Sequence, residues 1–342
     1  MVEGVPDHPT APTSPTLAHP PTPRGRAPLM RVLILGGYGA VGARVAAEMR
    51  AHGHLARTAG RDPARADVPV DLSRPEARDY QSALAGIDVV VNAAGVEDPD
   101  LVTAATSRGV AFVDITATTS YVAALERLTP TAPVLVNVGL APGVTTLLAA
   151  ALHRDRPTSS IDVGVILGAG EAHGRAAVAW SYGLLGSDFP DPATGAAVGN
   201  LTQGRTFHLP GYGRRRLYRA DFCDQHTLTR DLGVAVRSHL ALDSRALTTA
   251  LTLLTRLPGV QHLRLPTRLH LPGRDDWLVV ATTATNESRW ASGRNQSQAT
   301  ALVASLAATT VTGLAPGVHH LHQHLSTDHL ARLPGIHLAG AR

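Results

Sequence analysis

Lysine is absent from the sequence, so every one of its 31 Lys and Arg positions is an arginine. That excludes a Schiff-base lysine, a P-loop lysine and the Tyr-x-x-x-Lys pair of short-chain dehydrogenases. Cysteine occurs once, at Cys223. A single thiol can close no internal disulfide and build no thiolate metal cluster, which fits a reducing compartment, and a cytoplasmic location is expected. No apolar run approaches the roughly 18 residues that a membrane helix needs, so a soluble chain with no membrane partner is expected. Aromatic residues make up only 4% of the chain, and the formal net charge is +4. Arginines are scattered except in Arg214-Arg215-Arg216. No basic stripe with interleaved aromatics exists, so no nucleic-acid partner is expected.

What is present is a globular balance, 44% hydrophobic and 17% charged over 342 residues, enough for two domains. Residues 1–29 mix Pro, Thr and acids without an apolar core segment; they read as a disordered tail rather than a secretory signal. From Val32 the pattern turns regular. Val32-Leu33-Ile34-Leu35 reads as a strand buried on both faces, and Val41, Val45 and Met49 follow at helical spacing until Gly53. Leu55–Ala59 and Val68–Val70 read as further strands, the latter at an edge because of Pro69. Ser73-Arg74-Pro75-Glu76 reads as a capping box for a helix that stops at Gly86. Strands at Asp88–Asn92, Val110–Asp114 and Val134–Val138 alternate with a helix that starts at Asp98-Pro99. The alternation predicts an α/β fold, a Rossmann-type doubly wound parallel sheet over 30–150. Residues 151–296 lose that rhythm and predict a second, mixed α+β domain, with strands near Ile161–Leu167 and Trp277–Ala281, a helix over Arg175–Leu185, and an aperiodic stretch from Gly186 to Gly213. Ser297 is expected to cap a helix over Gln298–Val311, so that 297–342 returns to the first domain.

The segment between the first strand and helix carries the chemistry. A dinucleotide's diphosphate needs backbone N–H donors and a helix N-terminus, with no side chains in the way. Gly37-Tyr38-Gly39-Ala40-Val41-Gly42 meets that need, and its place directly after a buried strand and directly before an amphipathic helix makes the motif specific. Enzymes for NAD place an acid about twenty residues further on. Here stand Thr58-Ala59-Gly60-Arg61, and Arg61 can pair with a 2′-phosphate, so NADP is expected as cofactor. Asp62 beside it argues the other way, and the lesser reading makes Arg61 an exposed surface charge. Asn92-Ala93-Ala94-Gly95 closes a strand with small residues at the carboxyl edge of the sheet, where a cofactor lies in such folds, so Asn92, Ala94 and Gly95 join the expected cofactor site.

These residues resemble the saccharopine dehydrogenase-like oxidoreductases. The likeness runs through Gly36–Gly42, Ala59-Gly60-Arg61-Asp62, Asp88–Gly95, Val113-Asp114-Ile115-Thr116 and Gly139-Leu140-Ala141-Pro142-Gly143, covering about Met30 to Ala150. The resemblance implies an NADP-binding Rossmann domain, a substrate domain inserted before the C-terminal elements, and hydride transfer at a carbon attached to nitrogen. It also implies that the Gly139–Gly143 loop lies near the nicotinamide.

Hydride transfer needs one proton managed near the reacting carbon. The candidates are Asp114, Tyr121, Glu171 and His173, each at or beyond the carboxyl end of a strand, with His173 foremost as proton donor. Each has a structural alternative: a turn cap for Asp114, a core position for Tyr121. His319, His320, His322 and His324 can in principle share a metal, but they lack carboxylates at ligand spacing, so a docking or solvated segment is expected and no metal. Arg214-Arg215-Arg216 reads as a carboxylate clamp or as surface. The expected function is an NADP(H)-dependent oxidoreductase acting on a small-molecule amino or imino substrate, with a homodimer allowed. Ketone or enoyl reduction on the same fold, or a non-catalytic NADP-binding regulator, stay open.

Overall fold

The computed structural model describes Met1 and residues 29–73, 78–171, 174–260 and 273–339. The expected N-terminal tail, most of the capping box at 73–76, and His173 lie outside the described residues.

The apolar run after Met30 forms β1 (Arg31–Leu35), with Val32 to Leu35 fully buried. It leads through α1 (Gly42–Ala51), β2 (Leu55–Gly60), β3 (Val68–Pro69), α2 (Arg78–Ala83), β4 (Val89–Asn92), α3 (Pro99–Thr106), β5 (Ala111–Asp114), α4 (Thr119–Leu125) and β6 (Pro133–Val136) to α5 (Thr145–Asp155). Continuous burial along β1, β4 and β5 is what a sheet covered on both faces requires. Every pairing is parallel, and the order β3-β2-β1-β4-β5-β6 reverses direction between β1 and β4. This is the Rossmann order, with its switch point beside β1. Pro69 sits on the edge strand β3, where a missing N–H costs little. Asp98 caps α3 by accepting from Asp100 N, with Pro99 in the first turn.

The rest of the chain forms β7 (Ser160–Leu167), α6 (Arg175–Gly183), β8 (Asp188–Pro190), β9 (Ala197–Gly199), β10 (Gly204–Leu209), β11 (Gly213–Arg219), α7 (Cys223–Leu232), β12 (Ala235–Leu242), α8 (Arg245–Leu254), β13 (Asp276–Thr283) and β14 (Ser288–Arg294). Then come α9 (Gln296–Val311), β15 (Gly317–His320), α10 (Leu321–His324), α11 (Thr327–Leu330) and β16 (Ile336–Ala339). A mixed sheet of order β10-β11-β12-β7-β13-β14-β16 results, in which only β12 and β7 pair in parallel. The stretch from Gly186 to Gly213, expected to be aperiodic, contains β8, β9 and β10: strands of three to six residues are too short to show a period.

One apolar cluster joins the two sheets. It runs from Val32 and Ile34 through Val144, Leu148 and Leu152 of the α5 region to Val163, Val165 and Val279, with Ala301, Ala304 and Ala308 of α9 beside them. Small residues let α9 approach α1 and the strands β4 to β6 closely. Its cap is Asn295, whose side chain accepts from Gln298 N; Ser297, the expected cap, lies buried inside the first turn. Asn295 takes a left-handed conformation (φ 58°), which asparagine tolerates better than serine. Part of the histidine run forms β15, which extends the parallel sheet beside β6.

Candidate functional site

Gly36 turns the chain out of β1 with φ 69°, and the amides of Gly36 and Gly37 both donate to Ala59 O of β2, at 2.9 and 3.2 Å. The turn is packed against the ends of β2 and β4 and against itself. A Cβ on Gly36 would lie 2.6 Å from Ala94 Cα, one on Gly37 would overlap Thr58, and one on Gly42 would overlap the Gly36 carbonyl. None of the three glycines can therefore carry a side chain where β1, β2 and β4 come together. The first turn of α1 has no side-chain cap and no acidic residue, so its amides keep no side-chain acceptor. Uncapped amides at the positive end of a helix dipole, reached over a floor of glycine, fit a diphosphate.

Beside this loop, Gly95 (φ 67°) leaves β4 beneath α6: a Cβ on Gly95 would overlap that of Ala176. Gly174, preceding α6, lies against Ala40 of the glycine loop. The start of α6 thus roofs the loop. On the other side, the Tyr38 ring lies over Gly60, its hydroxyl accepts from Asp62 N at 3.4 Å, and the Arg65 guanidinium sits 4.4 Å from the ring centroid. Arg61 is exposed, one residue beyond β2.

Asn92, Asp114 and Tyr121 meet beneath the carboxyl edge. Asp114 Oδ2 accepts from Asn92 Nδ2 at 2.8 Å and from the Tyr121 hydroxyl at 3.1 Å, and Oδ1 accepts from Thr116 N at 2.8 Å. Asn92 Nδ2 also donates to Val96 O, and its Oδ1 accepts from Ala94 N. Asp114 is 1% exposed and Tyr121 4%. Burial pushes both up in pKa, the carboxylate beside it raising the phenol further. The trio ties the ends of β4 and β5 to each other. Glu171, a sequence candidate for proton transfer, instead caps α9: its carboxylate accepts from Gln296 N at 2.7 Å and Ser297 N at 3.1 Å. Arg215, expected to clamp a ligand or face solvent, is buried and donates to the carbonyls of Leu242 and Asp243, both at 2.9 Å.

The Gly139–Gly143 loop singled out in the sequence lies in this same half of the sheet, together with residues that sequence reasoning passes over. The Gly139–Gly143 loop (φ 135° and 131° at its ends) rests on Thr300 of α9, and Gly143 N donates to Thr145 Oγ1, which in turn bonds Asp224. Asp224 is fully buried, which raises its pKa, and also accepts from Ser238 Oγ. Asn137, left-handed and fully buried at the end of β6, meets His320 Nδ1 at 3.0 Å and accepts from the Cys223 thiol at 3.2 Å. Burial holds that thiol well above its ordinary pKa. Asn137 ends an apolar run as Asn92 does, and that parallel is the one signal in the sequence; Asp224 and Cys223 show none. The histidines diverge: His320 turns inward to Asn137 and Glu126, His322 pairs with Asp231, and His319 bonds His324.

A cleft of about 630 Å³ opens at the carboxyl end of β7, bordered by Gly170, Gly273, Arg274, Asp275, Asp276 and Arg294. It adjoins Glu171 and the start of α9 rather than the glycine loop. Among the described residues no helix is long and apolar enough to cross a membrane.

No protein-family model matches the chain, the saccharopine dehydrogenase-like family included, and no curated protein matches it. Among solved structures, amine dehydrogenase from Mycobacterium smegmatis is 12% identical over 88% of this chain and 98% of that one, with a TM-score of 0.47. Dihydrodipicolinate reductase from Paenisporosarcina sp., bound to dipicolinate, is 12% identical over 87% of this chain and all (100%) of that one, with a TM-score of 0.40. A protein from Burkholderia pseudomallei, named as exported, is 27% identical over 27% of this chain and 49% of its own length, with a TM-score of 0.23; the chain spans about half of it. These TM-scores lie below 0.5, and the Rossmann assignment rests on the strand order and the glycine turn.

Proposed function

We propose that the chain is a pyridine-nucleotide oxidoreductase of the saccharopine dehydrogenase-like type, using NADP(H) and acting on an amino or imino carbon of a small molecule. The observation that carries this reading is the glycine turn, where a Cβ at Gly36, Gly37 or Gly42 would strike the neighbouring strand ends or the turn itself, set before an uncapped helix. In it, Gly37 to Gly42 hold the diphosphate, Arg61 faces the adenosine end, and Asn92, Ala94 and Gly95 leave room beside β4. When bound, the nicotinamide supplies the carbon that gives or takes the hydride. Asp114 and Tyr121 then act as positioning residues, because the Tyr121 hydroxyl is spent on Asp114, and the Asp114 carboxylate on Tyr121, on Asn92 of β4 and on Thr116 N, away from solvent. His173 stays the proposed proton donor on the sequence reading alone. The amino or imino substrate class follows the sequence resemblance.

Calorimetric titration of the full chain with NADPH and NADH tests the binding, and nicotinamide absorbance with cyclic imines or oxo-acids plus ammonia tests turnover. NADPH is expected to bind and to be oxidised, and His173→Ala to keep binding while losing turnover. Binding without turnover over a broad acceptor panel favours a regulator; no heat with either nucleotide removes the proposal.

A further inference from the structure

We propose that Tyr38 and Arg65, with Arg61, form the element that reads the 2′-phosphate of the adenosine half of the cofactor, Arg65 being the specificity-determining charge. This rests on the cofactor reading above. Its starting point is Gly60, the last residue of β2, where enzymes for NAD carry the acid that holds the ribose hydroxyls. A Cβ on Gly60 would overlap the Tyr38 ring, with Cζ at 2.9 Å and the hydroxyl oxygen at 3.0 Å. The tyrosine of the phosphate loop therefore lies across the strand end, where Gly60 supplies no carboxylate.

Both acids nearby are already engaged. Asp62 Oδ1 accepts from Ala64 N at 3.0 Å within its own turn. Asp67 Oδ2 accepts from Thr58 N, Thr58 Oγ1 and Arg50. Arg65 is placed by two contacts: its guanidinium stands 4.4 Å from the Tyr38 ring centroid, and one N–H donates to Tyr38 O at 3.3 Å. A guanidinium has five donors in one plane, so several stay free. Among the described residues neither Arg61 nor Arg65 makes an ion pair. The two arginines flank a single turn closed by Arg65 N and Ala66 N on Asp62 O. Two guanidinium groups without an ion-pair partner among the described residues, one already held on an aromatic face, suit a dianionic phosphate and offer nothing comparable to a neutral ribose diol.

The test uses the full chain and two probes, adenosine 2′,5′-bisphosphate and adenosine 5′-monophosphate, titrated by calorimetry. The native chain is expected to bind the bisphosphate more tightly by about tenfold or more, the worth of one charge-assisted contact. Arg65→Ala should lose about tenfold on the bisphosphate and stay within about twofold on the monophosphate. Arg65→Gln, which keeps the polar stem, should behave alike, and Arg61→Ala should show the same selectivity. Arg65 is exposed, so thermal melts of these variants should match the native chain. Equal affinity of the native chain for both probes, or an equal or absent loss in Arg65→Ala, overturns the inference while leaving the glycine-loop reading in place. If the native chain binds neither probe nor NADPH, the glycine-loop reading itself fails and takes this one with it.

Discussion

Gly42→Ala separates a phosphate cradle from a merely tight turn. A methyl group there would overlap the Gly36 carbonyl oxygen and lie 2.9 Å from Gly36 C and 3.0 Å from Gly37 Cα. All three are backbone atoms, so no rotamer change relieves the clash. Gly42 has no positive φ, so alanine suits the helix itself and gains about 1 kcal/mol of propensity over glycine. Overpacking costs about 1–3 kcal/mol, so the net loss of stability should be roughly 0–2 kcal/mol. The displaced Gly36 carbonyl is also the acceptor for Gly39 N at 2.8 Å, so the whole turn moves with it. Misaligning even one amide aimed at a charged phosphate costs about 1.5–3 kcal/mol, or about 10- to 100-fold in affinity. The signature is disproportion: calorimetric affinity for NADPH falls far more than the urea midpoint does. Gly183→Ala, where a Cβ meets open space, is the control. If Gly42→Ala binds NADPH within about twofold of the native chain, the cradle reasoning is wrong.

Tyr121→Phe removes one donor from Asp114 while Asn92 and Thr116 N keep theirs, so stability should fall by about 1–2 kcal/mol, with turnover down less than about tenfold and the pH profile of kcat/KM unmoved. A loss of about a hundredfold or more, with a lost ionisation, would make the phenol a proton donor instead. Burial lowers His322 from 6.5 to about 4, so the folded chain holds it neutral while the unfolded chain protonates first. Its contribution, up to about 3 kcal/mol, is complete above pH 6.5 and is lost as pH falls toward 4. His322→Gln should flatten the fall in urea midpoint over that window, and an unchanged slope refutes the assignment.

The parallel sheet is legible in the sequence because each of its requirements is local. A strand covered on both faces needs a continuous apolar run, and Val32–Leu35 and Val89–Val91 supply one. A turn without room for Cβ needs glycine, and Gly36, Gly37 and Gly42 stand within seven positions of one another in the chain. The mixed sheet is not legible in the same way. Strand β11 reads Gly-Arg-Arg-Arg-Leu-Tyr-Arg, and its period of two hides in a charge run because Arg215 and Arg219 turn inward, Arg215 to main-chain carbonyls and Arg219 to Asp191. Nothing in the composition tells a buried, bonded arginine from a solvated one.

The same limit applies to the candidate site, and there it follows from how the site is built. The glycine turn is one segment of chain, but its roof and flanks come from elsewhere: α6 on Gly95, α9 under Gly139, Asp224 bonded to Thr145, His320 bonded to Asn137. Those hydrogen bonds span 79 and 183 positions, and Glu171 reaches 125 positions to cap α9. A pattern read over ten or twenty residues sees none of these partners; it passes over Asp224 and Asn137, and it reads Glu171 and Arg215 as candidates for chemistry because their acceptors and donors lie elsewhere in the chain. Their partners exist only once the chain has folded, the end of β12 for Arg215 and the start of α9 for Glu171, so a polar residue in this chain reports on function only after its long-range bonds have been counted.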